Sequence, residues 1–277
     1  MIKEGIFKRI LLAVRDWQKA ARASLKNFFW AAVNVIFPAM CVICGAVGEC
    51  VCVSCAARVP NGPLFCCPVC MDPAPEFGFC SLDACRRAAE AFPLKGVVAL
   101  GSNDVPEIRR LVYALKYEGA REAADFFGAR MAPMISHLPE DFFTADSSML
   151  LTPVIVVPVP LHRRRLVERD FNQAELIAIA LFDALVLARS ARLPPVAPEI
   201  LRRIRQTERQ AHLTGEARRK NLSGAFTVSE RSASVVNGAR IILVDDVATT
   251  GTTLRECACV LRAAGALNVA AIVVGRG

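Results

Sequence analysis

Arg240-Ile-Ile-Leu-Val-Asp-Asp-Val-Ala-Thr-Thr-Gly-Thr-Thr-Leu254 is the stretch whose reading decides the fold. Ile241 to Val244 are four apolar residues in a row, the pattern of a fully buried strand. Asp245 and Asp246 close that strand, and the loop Ala248-Thr-Thr-Gly-Thr-Thr253 leads into a helical pattern running to Ala264. Strand, small-residue loop and helix start together form a phosphate cradle. Backbone N–H groups of Ala248, Thr249, Thr250, Gly251, Thr252 and Thr253 point at an anion, the helix dipole favours it, and the Thr hydroxyls add donors. Gly251 is expected to let the backbone approach the ligand without a Cβ in the way. Carboxylates only accept hydrogen bonds, so the acidic pair suits neighbouring sugar hydroxyls or a metal ion. It also falls at the carboxyl end of a parallel strand, where open α/β sheets bind ligands. A plain strand–turn–helix with surface acids is the alternative, and the coincidence of all three features argues against it.

Working outward, Asn268 to Val274 reads as the last strand, and Val154 to Val157 as another all-apolar one. A loop from Pro158 to Gln173 and a long helix to Leu187 follow the latter. Two strand–loop–helix units imply a doubly wound parallel sheet flanked by helices. Arg163, Arg164, Arg165 and Arg169 in the upstream loop can grip phosphate oxygens bidentately, whereas His162 has no evident partner and reads as a positioning or solvent-facing residue. Further upstream, a strand is expected over Gly96 to Leu100, helices over Val105 to Leu115 and residues 121–136, and a loop over 137–150. Residues 188–197 are turn-rich. The basic, aperiodic run from Leu201 to Gln210, with Arg218, Arg219, Lys220 and Asn221 after it, reads as a flap over the ligand. Ala225 to Val228 reads as a strand and Arg231 to Gly238 as a loop.

The 277 residues have room for a modest domain plus a small module, and 54% hydrophobic residues exclude a mainly disordered chain. Net charge is +8, with 13 Lys/Arg against 7 Asp/Glu between residues 161 and 220, which favours an anionic ligand there. Ten of the twelve cysteines fall between Cys41 and Cys85. Cys41-x2-Cys44, Cys52-x2-Cys55, Cys67-x2-Cys70 and Cys80-x4-Cys85 make four knuckles, enough for two tetrahedral sites of structural zinc closed by four sulfurs. Consecutive pairing gives two ribbons in tandem and alternating pairing a cross-brace; Cys50 and Cys66 are surplus and could substitute for their neighbours. Knuckles beside a nucleotide-type loop favour a reduced, cytoplasmic setting over disulfides.

Residues 1–37 interleave Lys3, Lys8, Arg9, Arg15, Lys19, Arg22 and Lys26 with Ile10, Leu11, Val14, Trp17 and Leu25. This pattern fits an amphipathic helix, expected to pack on the rest of the protein rather than lie on an anionic membrane surface. The uncharged run after Lys26 does not read as a span, because Pro38 interrupts it and it passes into Cys41 and Cys44; no signal-peptide cleavage pattern follows an apolar core.

Asp245 to Thr253 resembles the phosphoribosyl pyrophosphate (PRPP) loop of type I phosphoribosyltransferases. Several further motifs stand in the same order: the cysteine knuckles, Leu115-Lys-Tyr117, Val157-Pro-Val-Pro-Leu-His-Arg-Arg-Arg165, Phe171-Asn-Gln173, Arg203-x-Arg-x-Thr-x-x-Gln210 and Arg218-Arg-Lys-Asn221. With these, the chain from residue 37 onward resembles the ComF family, a double zinc ribbon joined to a phosphoribosyltransferase-like domain. The stretched fourth knuckle is its one departure. The resemblance implies an N-terminal segment 1–37, a ribbon module 38–90 and a type I phosphoribosyltransferase-like α/β domain 95–277. It further implies that Asp245 and Asp246 hold the ribose hydroxyls of PRPP and that Thr249 to Thr253 cradle its 5′-phosphate. Lys116 and Arg163 to Arg165 would meet the pyrophosphate, which Mg²⁺ accompanies. Two other functions fit the same family: an adaptor for single-stranded DNA and DNA-uptake or recombination proteins, and a PRPP-responsive regulator that binds without turnover.

Overall fold

A computed structural model describes residues 38–143, 153–190, 194–205 and 222–277. The N-terminal helix expected over 1–37, and residues 206–221 of the expected flap, lie outside the described residues. The chain divides into two compact units, Met1–Cys52 and Val53–Gly277. In the first, residues 38–52 form a tight turn in which the Cys41 and Gly45 amides donate to the carbonyls of Ala46 (2.7 Å) and Cys41 (2.8 Å). Gly45 has φ +76°, the left-handed conformation such a turn needs.

The second unit runs α1 (Val53–Ala56), β1 (Leu64–Cys66), α2 (Asp83–Ala88), β2 (Val97–Ser102), α3 (Pro106–Tyr117) and α4 (Glu122–Met131). After these come β3 (Val154–Pro158), α5 (Arg163–Arg169), α6 (Gln173–Leu187), β4 (Leu201–Arg203), β5 (Phe226–Val228), α7 (Ala233–Val236), β6 (Arg240–Ala248), α8 (Thr252–Ala263) and β7 (Asn268–Arg276). Five strands form one sheet in the order β1-β2-β7-β6-β3, all parallel except β1. The all-apolar runs of β6 and β7 take its centre, where helices cover both faces and every residue from Ile241 to Val244 is buried. β1, from the cysteine-rich stretch, closes one edge by pairing antiparallel with β2 (Phe65 opposite Val98). β4 and β5 form a separate two-stranded ribbon.

Four elements differ from the sequence-based expectation. β6 continues four residues beyond Val244, because β7 supplies partners as far as Arg276, which sits opposite Ala248. The acidic pair therefore lies within a strand, held on one side by the ladder. Part of the expected Pro158–Gln173 loop is α5: His162 caps it, its Nδ1 accepting from the Arg164 amide (3.3 Å), and Asp170 ends it at φ +61°. The Arg231–Gly238 stretch contains a short 3₁₀ turn and α7. The helix expected over 121–136 keeps its extent, but passes into 3₁₀ geometry at Ala132–His137, where Pro133 cannot donate to an α-helical ladder.

α3 and α6 position the site. Ile108, Leu111, Val112 and Leu115 recur at helical spacing and are buried, so α3 turns Arg109, Tyr113 and Tyr117 to solvent. α6 is apolar around much of its circumference and packs on β3, β6 and α4. Its contact with α4 is close because Gly128 lacks a side chain: a Cβ there would run into the backbone of Ala180 and Leu181. Gly128→Ala should lower stability by about 2 kcal/mol through overpacking, read as a lower denaturant midpoint at an unchanged slope.

Candidate functional site

The carboxyl ends of β3 and β6 open into a cavity of about 320 Å³. Lys116, Arg165, Asp245, Asp246, Thr249 and Thr253 line it together. Lys116 Nζ, on the last turn of α3, donates to Asp246 Oδ1 at 2.8 Å, and the Asp246 amide donates to Asp245 Oδ1 at 2.8 Å. Asp246 is 9% exposed, and Lys116 sets a countercharge directly beside its carboxylate. Burial, and secondarily the Asp246 charge, push the Asp245 carboxyl up to about 7, against the opposing pull of the Asp246 amide, Lys116 and Arg203. An acid poised between its two forms in a cleft is a frequent mark of a functional site.

The loop after β6 differs in one respect from its expected logic. Gly251 has φ +65°, and a Cβ built on it would meet Met71 Sδ at 2.9 Å. The missing side chain thus makes room for a buried methionine of the cysteine-rich stretch. Arg276, at the end of β7, donates from Nε to the Met71 carbonyl (2.8 Å) and from Nη2 to Asp72 Oδ1 (3.0 Å), which ties the same turn to the sheet. Thr250 and Thr252 share a hydroxyl–hydroxyl hydrogen bond of 2.9 Å, and Ala248 is the buried end of β6.

Arg163 and Arg164 do not line the cavity; both are exposed on α5, where Arg164 pairs with Glu168 at 3.2 Å. The cavity also takes in Arg169, one of the four arginines expected to grip phosphate, together with residues to which the sequence assigned no site role: Tyr117, Asn172, Gln173 and Arg203. Asn172 caps α6, accepting from the Ala174 amide (3.2 Å) while its Nδ2 holds the Val159 carbonyl (3.0 Å), and so fixes the loop against the helix. Gln173 is 1% exposed, and its Nε2 has no hydrogen-bond partner among the described residues. Arg203, on β4, comes from the stretch expected to be a flap; burial, and then the neighbouring Arg165, lower its pKa. The Leu115-Lys-Tyr117, Phe171-Asn-Gln173 and Arg203-x-Arg motifs contain Tyr117, Asn172, Gln173 and Arg203, but none of them names a role for these residues.

The cysteines group consecutively. The sulfurs of Cys41, Cys44, Cys52 and Cys55 lie within 4.8 Å of one another, as do those of Cys67, Cys70, Cys80 and Cys85, so the stretched fourth knuckle still closes its group. Tetrahedral metal–sulfur bonds of about 2.3 Å imply sulfur–sulfur edges of about 3.8 Å. Cys44 to Cys52 (3.6 Å) and Cys70 to Cys80 (3.7 Å) match that edge, so both groups fit a structural metal ion. Burial alone would raise Cys67, but the amides of Cys80, Cys70 and Val69 aim at its sulfur and bring it down to about 7. Cys41 falls to about 6 by the same balance, with the amides of Cys52, Cys44 and Ile43 outweighing burial. Neither surplus cysteine belongs to a group; Cys66 is buried in the core of the sheet, where burial pushes its thiol up to about 11.

Over 216 residues the chain is 33% identical to the DNA utilization protein YhgH of Salmonella typhi, a match covering 78% of this chain and 86% of that protein. The chain belongs to the ComF/YhgH family. Within it, the Escherichia coli K12 YhgH is 28% identical over 235 residues, covering 84% of this chain and 94% of its own. Competence protein F of Haemophilus influenzae is 36% identical over 116 residues, 42% of this chain and 47% of that protein. The phosphoribosyl transferase domain family matches residues 192–276. For this ComF/YhgH-family chain the match takes in β4 to β7, with the acidic pair and the Thr-rich loop, while Lys116 and Arg165 reach the cavity from outside it. Among the described residues, no helix is long and apolar enough to cross a membrane.

Proposed function

We propose that this chain binds Mg²⁺–PRPP in the β3/β6 cavity and transfers its phosphoribosyl group with release of pyrophosphate. The observation that carries the reading is the Lys116–Asp246–Asp245 chain of hydrogen bonds beside the Thr-rich loop in one cavity. Asp245 and Asp246 would accept hydrogen bonds from the ribose hydroxyls and orient the ring. The amides and hydroxyls of Thr249 to Thr253 would cradle the 5′-phosphate. Lys116 and Arg165, with Arg163 and Arg164 from the exposed face of α5, would gather charge on the departing pyrophosphate, to which Mg²⁺ adds its own. The bond from the anomeric carbon to the pyrophosphate oxygen breaks, its electron pair leaves with pyrophosphate, and the acceptor supplies the new bond. Placement and charge stabilisation carry such a step, and the cavity needs no nucleophilic side chain.

The two cysteine groups would hold structural zinc, in a cytoplasmic protein organised as segments 1–37, 38–90 and 95–277. Calorimetric titration of the zinc-loaded protein with Mg²⁺–PRPP tests the site: saturable binding, displaced by pyrophosphate, is expected. Absence of binding by protein of confirmed zinc content overturns the reading.

A second reading, a role in handling single-stranded DNA with DNA-uptake proteins, draws on the names of the relatives and on the arginines of α5. The two are compatible in one protein.

A further inference from the structure

Tyr113 and Tyr117 stand one turn apart on α3 and are 53% and 62% exposed. Their rings are 5.0 Å apart, tilted by 48°. Arg169 of α5 lays its guanidinium 5.0 Å from the Tyr117 ring centroid, and its Nη2 donates to the Tyr117 hydroxyl at 3.3 Å. Tyr117, Arg165 and Arg169 all line the cavity, so the pair stands at its rim. α3 buries its opposite face, and the core makes no use of these rings. α5 carries four arginines against one glutamate, Glu168, which pairs with Arg164. On α3's side, Glu118 is taken up by Arg110 at 2.8 Å.

Adjacent exposed rings, one held by a guanidinium and flanked by further guanidinium groups, offer the aromatic faces and the cations that an unpaired nucleic acid strand needs. Bases have π-faces to stack on the rings, and phosphates meet the arginines. A duplex keeps those faces inside its own stack. We propose that Tyr113, Tyr117 and Arg169 form a base-stacking site for single-stranded DNA, whose backbone follows the arginines of α5 towards the cavity. This rests on the DNA-handling reading and is independent of PRPP turnover.

The test is fluorescence anisotropy of a labelled oligo(dT) with the zinc-loaded full chain. Saturable binding that weakens steeply with salt is expected for native protein. Tyr113→Ala should weaken it about tenfold, while Tyr113→Phe, which keeps the ring, binds like the native chain. Tyr113 does not line the cavity, so unchanged Mg²⁺–PRPP binding by Tyr113→Ala checks that the variant is folded. Native-like affinity of a Tyr113→Ala/Tyr117→Ala variant overturns the proposal, as does tighter binding of a duplex than of the single strand. If the native chain ignores oligo(dT), the DNA-handling reading falls with it, whereas the PRPP reading is judged by its own titration.

Discussion

Replacing Asp245 and Asp246 together by asparagine is expected to abolish Mg²⁺–PRPP binding, with a loss of roughly 100-fold or more if two charge-assisted hydrogen bonds go at once. Asparagine keeps the shape and one acceptor oxygen but removes the negative charge that ribose hydroxyls and a nearby cation would seek. The same site makes a separable prediction about stability. In the folded chain the Asp245 carboxyl is pushed up to about 7, above its ordinary 3.8, because burial and the Asp246 charge disfavour ionisation. A raised carboxyl stabilises the fold while it is neutral, so its contribution is complete below the unfolded value of about 3.8 and is lost as pH rises through about 7. Asp245→Asn mimics the neutral form and leaves the Lys116–Asp246 pair in place. The unliganded single variant should therefore melt above the native protein at neutral pH, with the difference closing towards pH 4. Ligand affinity of the native chain should move the other way, rising with pH as the carboxylate forms. Thermal melts and titrations across that range check both; a melting difference that grows on acidification would remove the buried-charge account.

Stripping metal from the second cysteine group is expected to weaken Mg²⁺–PRPP binding by about tenfold or more, because the turn it would hold also packs against Gly251 of the Thr-rich loop. The Met71 amide donates to the Cys67 carbonyl and the Cys67 amide to the Asp72 carbonyl, both at 2.8 Å, so the Cys67–Asp72 turn is one hydrogen-bonded unit. Its Met71 side chain is 1% exposed and fills the space against Gly251. A small cysteine-lined turn has little core of its own, and four thiols without an ion lose the bonds that fix it. Met71 would then leave the loop, and Gly251 would be free to sample conformations that no longer present the amides together. Linkage requires the converse too: bound PRPP should tighten zinc affinity by the same factor, read as a higher chelator concentration needed to strip half the metal at equilibrium. Met71→Ala separates the mechanical contact from metal retention, and is expected to keep its zinc while losing affinity. Equal PRPP affinity in zinc-loaded and zinc-free protein would show that the turn does not brace the loop.

The parts of this protein legible in the sequence are those in which neighbours along the chain are neighbours in space. Cys67-x2-Cys70 presents two sulfurs to one point whatever surrounds it, and four apolar residues before a Thr-rich loop make a buried strand entering a helix in many contexts. The sheet's parallel strands, the four cysteine knuckles and the placement of Asp245 and Asp246 near the Thr loop therefore follow from spacing and periodicity, whereas the consecutive grouping of the knuckles came only with the sulfur positions. Spacing has no hold on contacts that close long loops. Lys116 meets Asp246 across 130 residues, Arg169 meets Tyr117 across 52, and Arg276 reaches Asp72 across 204. Each depends on which face of a helix or strand end is left over after the core is packed. The sequence alone determined that an acidic pair, a Thr-rich loop and four cysteine knuckles exist. Only the tertiary structure decided that Lys116 neutralises one acid while burial raises the other, that a methionine of the second sulfur group fills the space Gly251 leaves, and that two tyrosines face outward at the rim. Burial and charge pairing are properties of the packed whole, and no local pattern encodes them.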